Sequence, residues 1–297
     1  MRTTFNALFR NTIRDIQRTA ADYARAQQVA SSGIRLQRPS DDPTSAARAL
    51  DSRTETRSLD RYRRATDSVE SRLHVVDTVL SDIVRSITTA QTRAAAGRNT
   101  ILTQEQREAI ALEVEGVREA IFTAVNTSYR GMHVFSGAST TTPPYTKAGS
   151  VISPYQGDAN VIFVDISRTS SVPVTVDAGA MLQGPAAQDL FATLDALAAD
   201  IRAGDMTGID ARIAELDAAF ARVTQTQSRI GAALSALPTE QQRLDQLRRA
   251  SETRRSEAEE ANLAEALSEM SRAQQAYQLA IAATGSTQRL TLLDYLR

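Results

Sequence analysis

The sequence predicts a mainly α fold, a long heptad-patterned helical rod formed by the N- and C-terminal regions, with a small β-rich central insert. Apolar residues step by three and four through both halves of the 297-residue chain, the spacing that lays a stripe along a helix. Only in the middle does the period change to two. Glycine and proline gather there as well: residues 131–208 hold eight of the thirteen glycines, and 143–185 hold five of the eight prolines.

In the first segment Phe9, Ile13, Ile16, Ala20, Tyr23, Gln27, Ala30 and Ile34 alternate steps of four and three, which is a coiled-coil seam. Gly33 weakens that helix and Pro39 ends it. The next helix has a defined start. Asp42 offers a side-chain oxygen as cap, and Pro43 at the first helical position loses no needed N–H. Adjacent Asp41 and Asp42 read as a cap and a charge favourable to the helix dipole rather than a metal site.

From Leu59 the heptad runs without a slip through Tyr62, Thr66, Val69, Leu73, Val76, Leu80, Ile83, Ile87, Ala90 and Ala94. A helix of roughly 50 residues would be about 75 Å long, a rod rather than part of a globule. A break at Gly97–Thr103 precedes another amphipathic stretch with Ile110, Val114, Val117, Ile121 and Ala124. In the middle, Val161-Ile-Phe-Val164 with Ile166, then Val172, Val174 and Val176, read as short strands. Leu190, Leu194, Leu197 and Ile201 mark a short helix that Gly204–Gly208 breaks. A second heptad follows from Ile209 through Leu216, Val223 and Ile230 to Leu237, with Pro238 expected to kink or restart the helix. The last seam runs Leu263, Leu267, Met270, Gln274, Tyr277, Ile281 and Thr284, and ends in leucines as far as Leu296.

These breaks divide the chain into 1–40 plus 255–297 as a terminal coiled-coil domain, 41–135 plus 186–254 as a helical rod domain, and 136–185 as a β-rich insert domain. Polar positions at Gln27, Gln274 and Thr284 interrupt both terminal seams. The ends therefore bury less apolar area per residue, and are expected to order by pairing with each other and with neighbouring subunits. Phe9, Ile13, Ile16 and Tyr23, with Leu263, Leu267, Met270, Tyr277 and Ile281, form the expected subunit-assembly seam.

Composition narrows the function further. Charged residues make up 23% and balance to −1, so no overall field draws the chain to nucleic acid or an anionic membrane. Cysteine is absent, which excludes disulfides, thiolate nucleophiles and Cys-ligated metals. The two histidines, His74 and His133, have no partner at metal-ligand spacing. There is no glycine-rich phosphate loop and no Gly-x-Ser-x-Gly elbow. No catalytic, cofactor-binding or metal site is expected. No stretch is apolar enough to span a bilayer, and the charged segment Met1–Gln17 lacks the apolar core of a secretory signal peptide.

The run Val29-Ala-Ser-Ser-Gly-Ile-Arg-Leu-Gln-Arg-Pro-Ser-Asp-Asp-Pro43 resembles the N-terminal motif of the bacterial flagellin superfamily. Its Pro-Ser-Asp-Asp-Pro core is similar to members of the hook-associated type 3 group, where flagellins proper usually have lysine-Asp-Asp-alanine. Asn126-Thr-Ser-Tyr-Arg-Gly-Met-His-Val-Phe-Ser-Gly137 resembles the turn before the variable insert of that superfamily. Arg229-Ile-Gly-Ala232 resembles its C-terminal rod motif, and Asn262 to Arg297 its C-terminal helix. The Met1-Arg-Thr-Thr start departs from the more usual isoleucine and serine after the arginine.

The resemblance implies a structural subunit of the flagellum that joins hook to filament and is exported by the flagellar type III apparatus to the cell exterior. It implies a homo-oligomeric ring, a hook-side junction protein and flagellin as neighbours, and a cytoplasmic export chaperone at the C-terminal helix. Flagellin itself is the nearest alternative, set aside for the Pro-Ser-Asp-Asp-Pro run and the small insert. A coiled-coil signalling module would need a near-continuous hairpin, which the insert interrupts.

Overall fold

The computed structural model describes the backbone of residues 2–184 and 189–295, and the side chains of 10–184 and 189–285. Leu296, the last leucine of the C-terminal seam, lies outside the described residues. Seven helices and six short strands are present among them: α1 (Arg2–Ser32), α2 (Pro43–Gly97), α3 (Gln104–Val125), β1 (Ser128–Tyr129), β2 (Met132–His133), β3 (Lys147–Ala148), β4 (Val151–Ile152), β5 (Phe163–Asp165), β6 (Ser171–Pro173), α4 (Ala178–Leu182), α5 (Leu190–Ala203), α6 (Met206–Glu259) and α7 (Leu263–Tyr295). The mainly α class with a central group of small antiparallel strands is what the periodicity predicts.

Contacts group the chain into two units, Met1–Ser58 with Leu247–Arg297, and Leu59–Gln246. In the larger unit the heptad of α2 is the core stripe: Leu73, Val76, Leu80, Ile83, Ile87, Ala90 and Ala94 are fully buried. Opposite them lie Ile209, Leu216, Val223, Ile230 and Leu237 of α6, with Ala111, Val114 and Ile121 of α3. Each large side chain so buried contributes about 1.5–3 kcal/mol.

Polar pairs at the edges of the stripe set the register. Arg63 donates to Asp245 at 2.7 Å, Gln241 to Glu70 at 2.8 Å, Gln227 to Ser81 at 2.8 Å, and Gln91 to Asp217 at 2.7 Å. The partner number falls as the first rises, so α2 and α6 run antiparallel. α6 does not restart at Pro238. The helix bond lost to the proline costs about 3 kcal/mol, and the buried leucines on either side, Leu237 and Leu244, offset it.

The break at Gly97–Thr103 holds: α3 begins with a capping box, in which the Thr103 hydroxyl accepts from the Gln106 N–H and the Gln106 side chain accepts from the Thr103 N–H. α5 packs on α3, and Arg202 ties the two by donating to Glu108 and Glu115, each at 2.8 Å.

The strands form three two-stranded antiparallel hairpins, β1–β2, β3–β4 and β5–β6. β5–β6 pairs Val164 with Val172, within the alternating stretch that predicts it. The other two are too short to show a period of two. They close around a core of Val134, Phe135, Tyr145, Ile166, Val174 and Val176. Tyr145 meets Phe191 edge-on at 5.0 Å and Tyr155 at 5.7 Å, arrangements that add to burial alone. Burial raises the Tyr145 and Tyr155 hydroxyls well above the usual phenol range.

Candidate assembly surface

In the smaller unit α1 and α7 pack as an antiparallel pair. Small residues make this possible. On α1, Thr12, Ile16, Thr19, Tyr23, Ala26 and Ala30 are half-buried, a 4-3-4-3-4 spacing. On α7 the matching row is Ala266, Met270, Ala273, Tyr277, Ala280 and Thr284. Half the α7 row is alanine, so the helix backbones approach closely, and Tyr23 stacks on Tyr277 with centroids 6.3 Å apart and planes 7° off parallel.

The expected seam residues fall into two groups. Ile16, Tyr23, Met270 and Tyr277 lie on the face where the two helices meet. Ile13, Leu263, Leu267 and Ile281 stand outside it, at 37%, 55%, 45% and 48% exposure. The side chain of Phe9 lies outside the described residues. Sequence reading missed Ala266, Ala273 and Ala280, because alanine is a weak hydrophobic signal beside leucine. Their seven-residue spacing, which alternates with Met270 and Tyr277 in steps of four and three, is the sign that could have found them.

A clasp closes the pair at its inner end. Gly33, at φ +69°, turns the chain out of α1, and its N–H still reaches the Val29 carbonyl at 2.9 Å. Ile34 then bridges Glu260: the Arg35 N–H donates to the Glu259 carbonyl at 2.8 Å and the Ala261 N–H to the Gly33 carbonyl at 2.9 Å. The Glu259 side chain is itself buried, between Arg53 at 2.8 Å and Arg255 at 3.5 Å. Below the clasp Ser251 Oγ donates to the Ser52 carbonyl at 2.9 Å, and Thr56 donates to Ser251 Oγ at 3.2 Å.

Asp42 caps α2 as the sequence requires. Its carboxylate accepts from the Ser45 N–H at 3.1 Å and the Thr44 hydroxyl at 2.8 Å, with Arg35 at 3.4 Å. Ser45, through side chain and N–H, then Thr44 and Arg35 hold it well below the usual carboxylate range. Pro43 follows as the first residue of the helix.

Among the described residues no three metal-ligating side chains converge, and no helix is long and apolar enough to cross a membrane. The grooves beside the clasp and along α1 and α7 are open, lined by alanines and ion pairs.

Two family models match this arrangement of ends: the bacterial flagellin N-terminal helical region over residues 4–140, and the bacterial flagellin C-terminal helical region over 213–296. Together they take in most of the chain. The chain belongs to the bacterial flagellin family. Within that family its curated relatives are hook-associated proteins rather than flagellins. Flagellar hook-associated protein 3 of Escherichia coli is 26% identical over 215 residues, 68% of this chain and 67% of the relative. Flagellar hook-associated protein 3 of Salmonella typhimurium is 25% identical over 50% of this chain and 47% of its own length, so the match spans about half of that relative. In fold, the flagellar junction protein FlgL from Legionella pneumophila is similar with a TM-score of 0.60 at 14% identity, over 72% of this chain and all of that one. FlgL from Bacillus cereus is similar with a TM-score of 0.59 at 16% identity, over 69% of this chain and 99% of that one. By name the curated relatives are flagellar hook-associated proteins, and the Legionella protein is a flagellar junction protein.

Proposed function

We propose that the chain is the structural subunit that joins the flagellar hook to the filament, and that it assembles through its two ends. The observation that carries the assembly reading is the division of labour on α1 and α7. Small residues and the tyrosine stack close the pair within one chain, while Ile13, Leu263, Leu267 and Ile281 remain exposed. Large apolar side chains left exposed on a helix pair are what a neighbouring subunit covers. Segments 1–40 and 255–297 then act as the assembly domain, 41–135 with 186–254 as the rod, and 136–185 as an insert beside it.

Copies of the chain form a ring between a hook-side junction protein and flagellin. The subunit is exported through the flagellar type III apparatus, with the C-terminal helix held by a chaperone beforehand. The kinship with hook-associated protein 3 and the Pro39-Ser-Asp-Asp-Pro43 run favour this over a filament subunit.

Deletion of the gene in a flagellated host tests the reading, with electron microscopy of cells and medium. Hooks without filaments, and flagellin lost to the medium, are expected. Filaments of normal length and anchorage on the deletion strain would overturn it.

A further inference from the structure

Helix α6 continues through Pro238, and the proline is not alone. Ser228, Gly231, Ser235 and Pro238 are all exposed, at steps of three, four and three, so they share the solvent side of the helix. Each weakens it in its own way. Ser228 Oγ donates to the Thr224 carbonyl at 2.9 Å, and Ser235 Oγ donates to the Gly231 carbonyl at 2.9 Å and the Ala232 carbonyl at 3.0 Å. Such back-bonds compete with those of the helix and favour bending. A side chain added at Gly231 would meet nothing within 4 Å, so no close neighbour in the chain requires a glycine there. Pro238 has no N–H to give the Leu234 carbonyl. Prolines and glycine–serine pairs are where helices kink, and here both fall within about three turns.

The buried side of the same stretch is intact. Val223, Ile230, Leu237 and Leu244 recur every seven residues, all buried. Polar ties to α2 bracket the weak stretch instead of crossing it: Gln227 donates to Ser81 at one end and Gln241 to Glu70 at the other, both at 2.8 Å. Among the described residues, no side chain of 228–240 hydrogen-bonds or ion-pairs with α2. Apolar contact is non-directional, so this part of the seam can shift without breaking a specific bond. α2 has no glycine or proline between its first residue and its last, so these fall on one helix of the pair.

We propose that residues 228–238 of α6 form a bending joint in the rod: the solvent side of the helix opens there, convex outward, while the apolar seam keeps α6 on α2. The direction follows from the proline, because the carbonyl it leaves free lies on the same outer side. Alanine at 231, 235 and 238 would make a stronger helix. A weak row in its place suits a subunit that must fit against two unlike neighbours. That role rests on the junction reading given above, whereas the joint is a property of the chain alone.

Amide hydrogen exchange on the purified full chain reads the joint directly. Residues 229–242 are expected to exchange about tenfold faster than 209–223, where Ile209, Leu216 and Val223 form an equally buried seam. Equal exchange in the two stretches overturns the proposal. A stiffened chain carrying Gly231→Ala, Ser235→Ala and Pro238→Ala should slow 229–242 to the rate of 209–223 and raise the unfolding midpoint by about 5 °C. Gly231→Ala alone should move both in the same direction, and it carries the test if the triple variant does not fold. A lower midpoint for Gly231→Ala would show that packing requires the glycine, and overturns the joint. Returned to the deletion strain, the stiffened chain should release several-fold more filaments under shear than the wild type. Wild-type retention by a chain whose exchange has slowed overturns the role in anchorage. If the deletion strain anchors its filaments unaided, the junction reading fails, and the exchange rates still decide the joint.

Discussion

Replacing Leu267 by aspartate separates assembly from folding, because its neighbour in sequence does the opposite job. Leu267 is 45% exposed on the outside of α7, whereas Ala266 is 8% exposed in the face against α1. Full burial of a leucine is worth about 1.5–3 kcal/mol, so covering the exposed part of Leu267 in an assembly contributes about 1 kcal/mol. Ile13, Leu263 and Ile281 have comparable exposure, and the four together offer about 3–5 kcal/mol per subunit. An aspartate in that row removes one share and places an unpaired carboxylate under a covering subunit, a further cost of several kcal/mol. In the free subunit the same carboxylate reaches water, so the unfolding midpoint should move by only a few degrees. Ala266→Asp should instead open α1 from α7, exposing the terminal segments to limited proteolysis. The assay compares both variants for thermal unfolding, protease protection of the ends, and incorporation into flagella by immunoelectron microscopy. Incorporation of Leu267→Asp at the wild-type level would refute the assignment of that row to subunit contacts. Equal protease protection for Ala266→Asp would refute the alanine-lined pairing.

Three further outcomes follow from the geometry. Ile83→Ala, at a fully buried position of the α2 stripe, should cost about 2–5 kcal/mol and lower the midpoint by roughly 10 °C, read by calorimetry. Asp42 has a depressed pKa when folded, so its contribution is present above the unfolded carboxylate range near pH 4 and is lost as pH falls below it. Asp42→Ala should therefore melt lower than the wild type at pH 7, with the gap narrowing in acid; a gap independent of pH would count against the cap. Tyr145 and Tyr155 have raised pKa values, so the stability they confer is full below about pH 10 and falls as pH rises beyond it. Absorbance titration of the seven tyrosines should show two that ionise only as the fold is lost, and early ionisation of all seven would contradict their burial.

The rod and its insert were legible because long heptads leave few alternatives. From Leu73 to Ala94 every third or fourth residue is apolar, and each of those positions is buried. The start of α2 could be read from Asp42 and Pro43 alone, since capping is local chemistry. The hairpins β1–β2 and β3–β4 could not, as two-residue strands carry no period and are set by the residues around them. Arg72 was equally hidden: it occupies an ordinary polar position beside the α2 stripe and is nonetheless buried.

By itself, then, the sequence determined the helical class, the position of the insert, the cap of α2, and the membership of both ends in one seam-forming pattern. Those are properties of spacing and of side chains acting within a few residues. Tertiary structure decided which residues join Met270 and Tyr277 in the face towards α1: Ala266, Ala273 and Ala280 rather than Leu267, Gln274 and Ile281. Either set completes a 3-4 repeat with Met270 and Tyr277, and larger side chains carry the stronger hydrophobic signal. Close approach of two helix backbones, however, needs small residues at the contact, and that requirement exists only once the partner helix is in place.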